Sequence, residues 1–72
     1  MKKVIVIEGM DTLQIGRAIS SMLEGLNGLE NVKLNLDEQS ILVEYSRGVF
    51  TEEELCDAIG EEGFEVVDIF DA

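Results

Sequence analysis

The sequence predicts an α+β sandwich, a four-stranded antiparallel sheet with two helices packed on one of its faces. Three observations carry that prediction. A β-branched run, Val4-Ile5-Val6-Ile7, opens the chain. The apolar period then alternates between helical and strand spacing in the order strand, helix, strand, strand, helix, strand. Finally, each predicted helix start has a capping residue three positions ahead of a Gln or Glu: Asp11 with Gln14, and Thr51 with Glu54.

Lys2 to Glu8 reads as the first strand, because β-branched side chains suit a pleated surface. Consecutive apolar residues fill both of its faces, which predicts a central position in the sheet. Gly9 and Met10 break the strand. Asp11 with Gln14 fits a capping box, and Thr12 is the competing cap one residue later. Ile15, Ile19, Met22, Leu23 and Leu26 then form an apolar stripe at helical spacing. Gly16 inside that helix costs about 1 kcal/mol relative to Ala, which points to close backbone packing. Asn27-Gly28 is the predicted helix end.

From Val32 the period changes to two, with Val32, Leu34 and Leu36 alternating against Lys33 and Asn35. Asp37 to Gln39 is a polar turn. Ile41, Val43 and Tyr45 alternate against Leu42 and Glu44, so the two runs form an antiparallel hairpin. Thr51 and Glu54 cap a second helix, whose first turn holds Glu52, Glu53 and Glu54, favoured there by the helix dipole. Its inner stripe is Leu55, Cys56, Ala58 and Ile59, and it ends near Gly60 or Gly63. FEVVDIF is the last strand, and the adjacent Val66 and Val67 allow a bulge in it. Two right-handed strand-helix-strand halves give the ferredoxin-like βαββαβ arrangement, with the first and third strands central.

At 72 residues the chain is expected to be one domain over 1–72, burying about 60% of the surface its unfolded form exposes. The single cysteine, Cys56, allows no internal disulfide. The VIVI run is far short of the roughly 20 residues that span a bilayer, and too short for a secretory leader. A cytoplasmic protein that does not enter a membrane is the expectation. Sixteen acidic against five basic residues give a net charge of −11. That field repels phosphate backbones and excludes nucleic-acid binding; it serves solubility and suits a basic protein partner. There is no histidine, and none of the serines has a base beside it, so the chain reads as a non-enzyme.

EGM after the first strand, LNGLENVKLNLDEQSILVEY across the hairpin and LCDAIGEEGFEVV near the end together resemble the heavy-metal-associated domain. That family includes small copper chaperones and the N-terminal domains of copper-transporting P-type ATPases. The resemblance runs from about Val4 to Val67. It implies a metal loop of the form Gly-Met-x-Cys-x-x-Cys, in which two thiolates bind a soft ion such as Cu(I). Here those two positions are Thr12 and Ile15, and neither supplies a thiolate. Met10 and Phe64 match family residues that pack around the loop. The loop Met10, Asp11, Thr12 and Ile15 is therefore expected to hold no metal and the chain no cofactor, with Cys56 a weak candidate ligand. The leading expectation is an interaction or regulatory module related to copper trafficking. The alternative is a heavy-metal-binding or transport protein with a non-thiolate or intersubunit site, carrying copper or another soft ion. A third reading is a structural domain detached from a larger transporter.

With Ile5 and Ile7 in the core, Val4 and Val6 fall on the opposite sheet face. Leu42 joins them from the third strand, and Val67 and Ile69 from the fourth. These five residues predict an apolar patch on a face that a monomer keeps polar. The patch would serve a homodimer or a partner helix lying across the sheet.

Overall fold

The VIVI run becomes the middle of strand β1 (Lys2–Glu8), and the elements that follow are α1 (Leu13–Glu24), β2 (Leu29–Asn35), β3 (Ser40–Tyr45), α2 (Glu52–Glu61) and β4 (Glu65–Asp71). The computed structural model describes all residues, Met1–Ala72. One antiparallel sheet has the order β2-β3-β1-β4, so the first and third strands are central as expected. The ferredoxin-like arrangement is observed.

Alternation along the strands sorts the side chains into two faces. Ile5 and Ile7 of β1 join Ile41, Val43 and Tyr45 of β3 beneath Ile19 and Leu23 of α1 and Leu55 and Ile59 of α2, all essentially without solvent contact. Met10, from the turn after β1, is buried in the same cluster. Tyr45 closes one end, its ring edge-on to Phe50 with centroids 5.6 Å apart. Both helices therefore cover a single face.

Gly16 is the place where α1 comes down onto the sheet. A Cβ there would lie 2.7 Å from Leu34 Cδ2 and 2.9 Å from Cδ1. The glycine in mid-helix is explained by this contact, as its helical cost suggested.

Three expectations need correcting. Helix α1 stops at Glu24 with Gly25 as its cap, not at Asn27-Gly28. Leu26 turns back to pack on the core, and Gly28 serves the following turn with φ of +110°. Strand β2 accordingly starts at Leu29, three residues before Val32, with an irregular register between Leu29 and Asn31. The third correction concerns β4. Val6 faces Asp68 and Ile7 faces Val66, which leaves Val67 as the extra residue of a bulge. Beyond the bulge Ile69 pairs with Ile5 and packs on the core, so it does not lie on the open face where the sequence placed it. Phe70, opposite Val4, takes that place.

Candidate functional site

The strand-to-helix turn after β1 is built from Gly9, Met10, Asp11 and Thr12. Gly9 adopts φ of +83°, a region that L side chains rarely enter, and so lets β1 turn away while Met10 drops into the core. The chain becomes extended again at Thr12 (φ −122°, ψ 153°) and then enters α1. The Ile15 N–H donates to Thr12 Oγ1 at 3.2 Å, and the Gly16 N–H donates to the Thr12 carbonyl at 2.9 Å. Thr12 is therefore the N-cap of α1, and the alternative box between Asp11 and Gln14 does not form. Replacing Thr12 by Ala should cost about 1 kcal/mol of stability, the usual loss of an N-cap. Asp11→Ala, at an exposed site without a capping bond, should stay within about 0.5 kcal/mol. Urea unfolding of the two variants measures the difference.

Ile15 is half-buried against the core and Phe64 packs on the same cluster, while Thr12 and Asp11 are exposed. Leu13, the first residue of α1, is 50% exposed beside the turn. The loop thus brings together a capping hydroxyl, a hydrocarbon side chain packed inward and an exposed leucine. A hydroxyl occupied by a helix amide and an isoleucine are no ligand pair for a soft ion, so the side chains at these two positions do not fit one.

The other candidate ligands do not complete a site. No three Cys, Asp or Glu side chains converge as a metal-binding group, and that includes Glu8, Asp11, Glu61 and Glu62. Cys56 lies half-buried on α2 as a free thiol. Burial pushes its pKa up, and the carboxylates of Glu52 and Asp57 push the same way. It is held as the thiol, whereas the thiolate is the ligand form.

The strongest electrostatic arrangement is elsewhere, where the start of β1 meets the start of α2 and the end of β4. Lys3 is buried, and its Nζ lies 2.7 Å from Glu52 Oε2 and 2.5 Å from Asp71 Oδ1. The Asp71 carboxylate, followed by that of Glu52, holds the ammonium well above the usual lysine range against the opposing effect of burial. Tyr45 is raised as well, chiefly by burial. Glu52 opens α2 next to its cap: the Glu54 N–H donates to Thr51 Oγ1 at 3.1 Å, and the Thr51 N–H to Glu54 Oε1 at 3.0 Å. This second capping box stands as expected.

Cys56, Tyr45 and Lys3 are all held above their ordinary values of 9.0, 10.0 and 10.5. The folded chain keeps each proton longer than the unfolded chain does. Their contribution is thus complete below the unfolded values and is lost as pH rises through the folded ones. The urea midpoint should fall steadily above about pH 9, the ordinary value of the cysteine. Cys56→Ser should flatten the first part of that decline.

Of the five residues expected on the open sheet face, Val4, Val6 and Leu42 lie there half-buried, and Val67 stands 62% exposed at the bulge. Phe70, 45% exposed, replaces Ile69. Its signal in the sequence was the doubled valine, since one extra residue reverses the face of everything after it. No helix is long and apolar enough to cross a membrane.

No protein-family profile matches the chain. Individual relatives do. The chain is 38% identical over 65 residues to a copper chaperone CopZ of Staphylococcus epidermidis, an alignment covering 90% of this chain and 96% of that protein. It is 32% identical over 63 residues to copper-transporting ATPase 1 of Rattus norvegicus, covering 88% of this chain and 4% of the ATPase. Among solved structures, a CopZ metallochaperone aligns with a TM-score of 0.84 at 25% identity, over 93% of this chain and 100% of that one.

Proposed function

This chain belongs to the family of small copper chaperones built on the heavy-metal-associated domain, and from that premise we propose that it works in heavy-metal trafficking as a non-catalytic binding module. In this reading residues 1–72 act as one cytoplasmic domain that contacts a protein partner and carries no ion or cofactor on its loop. The observation that carries the proposal is the use made of positions 12 and 15. Thr12 spends its hydroxyl on the Ile15 amide, and Ile15 spends its side chain on the core.

What remains at the loop is shape and apolar surface, chiefly the exposed Leu13. A partner that recognises the family by that surface would still be engaged, and engagement without ion delivery makes the chain a regulator of such a partner. The net charge of −11 favours a partner with a basic surface, met by electrostatic steering.

The test is a titration of Cu(I) against a chromogenic chelator under reducing conditions. Neither the native chain nor its Cys56→Ser variant should take copper from the chelator. Tight binding of one ion per chain, unaffected by Cys56→Ser, would instead establish a carrier with a non-thiolate site. Binding that requires Cys56 and two chains would establish an intersubunit site.

A further inference from the structure

The register sets Leu42 of β3, Val4 of β1 and Phe70 of β4 directly opposite one another. Three apolar side chains therefore run in a row across the sheet, on the face away from both helices. Lys33 of β2 continues the row at the sheet edge. One neighbouring row holds Glu44 opposite Lys2, and the other holds Val6 opposite Asp68. A groove of about 640 Å³ takes in the Val4–Leu42 end of the row with Lys33 and Ser40, runs to Asp37 and Glu38 at the hairpin turn, and is also lined by Leu34, Leu36 and Leu13, the first residue of α1.

We propose that this row is the docking site for a cationic amphipathic helix of a protein partner. The spacing selects a helix. Adjacent strands lie about 4.8 Å apart, so the row offers one apolar side chain at each such step. A helix lying across the strands presents apolar residues three or four positions apart at about 5–6 Å, close to the same step. Charge selects the sign of its flanks. Glu44 and Asp68 border the row on its two sides and Asp37 and Glu38 stand at the groove's end, four carboxylates against the two lysines there, Lys2 and Lys33. Lysines or arginines beside the helix's apolar stripe would meet these carboxylates. A second copy of the chain is disfavoured as the occupant, because each copy carries −11 and like fields repel. The site lies on the sheet face opposite the helices and involves neither Thr12 nor Ile15. It rests on the partner-binding reading and adds a second contact surface to the one at the loop, and its failure would leave the copper titration as it stands.

The experiment titrates the ¹⁵N-labelled native chain with a synthetic helical peptide of leucine and lysine patterned as one apolar stripe, and separately with its leucine–glutamate counterpart. The expected result is amide shifts concentrated at Val4, Val6, Leu42, Asp68 and Phe70 with the lysine peptide, and none with the glutamate peptide. Phe70→Ser, at a half-exposed position on an edge strand, should weaken the lysine peptide by about tenfold or more, as loss of an aromatic anchor does. Glu44→Gln with Asp68→Asn leaves the apolar row intact and should weaken it as well, so the outcome does not hang on Phe70→Ser folding. Shifts mapping to α2 or to the turn at Gly9–Thr12, with none in the row, would overturn the proposal. So would unchanged affinity in both variants, or sedimentation showing that the native chain pairs with itself through this face.

Discussion

The double variant Thr12→Cys, Ile15→Cys should bind one Cu(I) per chain, more tightly than the native chain by over about a hundredfold. That is a lower bound, since losing even a supporting partner of a ligand costs about 10–100-fold in affinity. The geometry supports the expectation. The capping bond sets the side chain of residue 12 over the amide of residue 15 at 3.2 Å, so both side chains start from one end of α1. The helix N-terminus carries partial positive charge, which lowers thiol pKa values and favours the thiolates that a soft ion needs. Binding should release protons as the thiols are deprotonated. The metal-free variant should be less stable than the native chain by at least about 1 kcal/mol, because a capping hydroxyl is lost. Cu(I) should then raise its melting temperature, since a ligand of the native state stabilises that state. Chelator competition and a melting curve with and without Cu(I) read both effects. If the double variant gains no copper, the turn is not a latent metal loop. The account of Thr12 and Ile15 as replaced ligand positions would then fail.

Ile5→Ala should produce the largest loss of stability, about 2–5 kcal/mol. Ile5 has no solvent contact, sits in a central strand and lies between Ile41 and Ile69. At about 0.05–0.15 kcal/mol per residue, a chain this long has about 4–11 kcal/mol in total. The substitution therefore removes a large share of it and leaves a population partly unfolded at moderate temperature. Val67→Ala, at the exposed bulge, should stay within about 0.5 kcal/mol. Urea midpoints with unchanged slopes would verify the contrast. A small effect of Ile5→Ala would mean that the core relaxes into the space.

Much of this architecture could be read before any coordinates, and the exceptions have particular causes. β1 was legible because Val4 to Ile7 is a continuous β-branched run, and Thr51 with Glu54 marked the start of α2 because both halves of the box are present. Asp11 and Thr12 each offered a capping side chain, and spacing alone does not rank them. The structure ranks them: Thr12 has the extended N-cap geometry and its hydroxyl accepts from the Ile15 amide. Asn27-Gly28 suits a helix end, yet Leu26 has to fold back onto the core, so α1 stops earlier. Ile69 was set on the wrong face by strict alternation through Val66 and Val67, which the bulge interrupts. At the turn, the family and the residue types were readable from the residues themselves. The exposure of Leu13 was not, because it depends on where α1 starts on Thr12; the row through Phe70 was signalled only by the doubled valine, because it depends on how strands align across the sheet.

The position of β1 also governs when the molecule can form during its synthesis. The strand made first is flanked by β3 and by β4, the element made last. At about 5–20 residues per second, translation of this length takes several seconds. For that interval one edge of the VIVI strand has no neighbour, and the clamp on Lys3 lacks Asp71. Long-range pairing of this kind is slow to close. A nascent chain stalled before residue 65 should accordingly be sensitive to protease, with protection arriving in one step once β4 has cleared the ribosome.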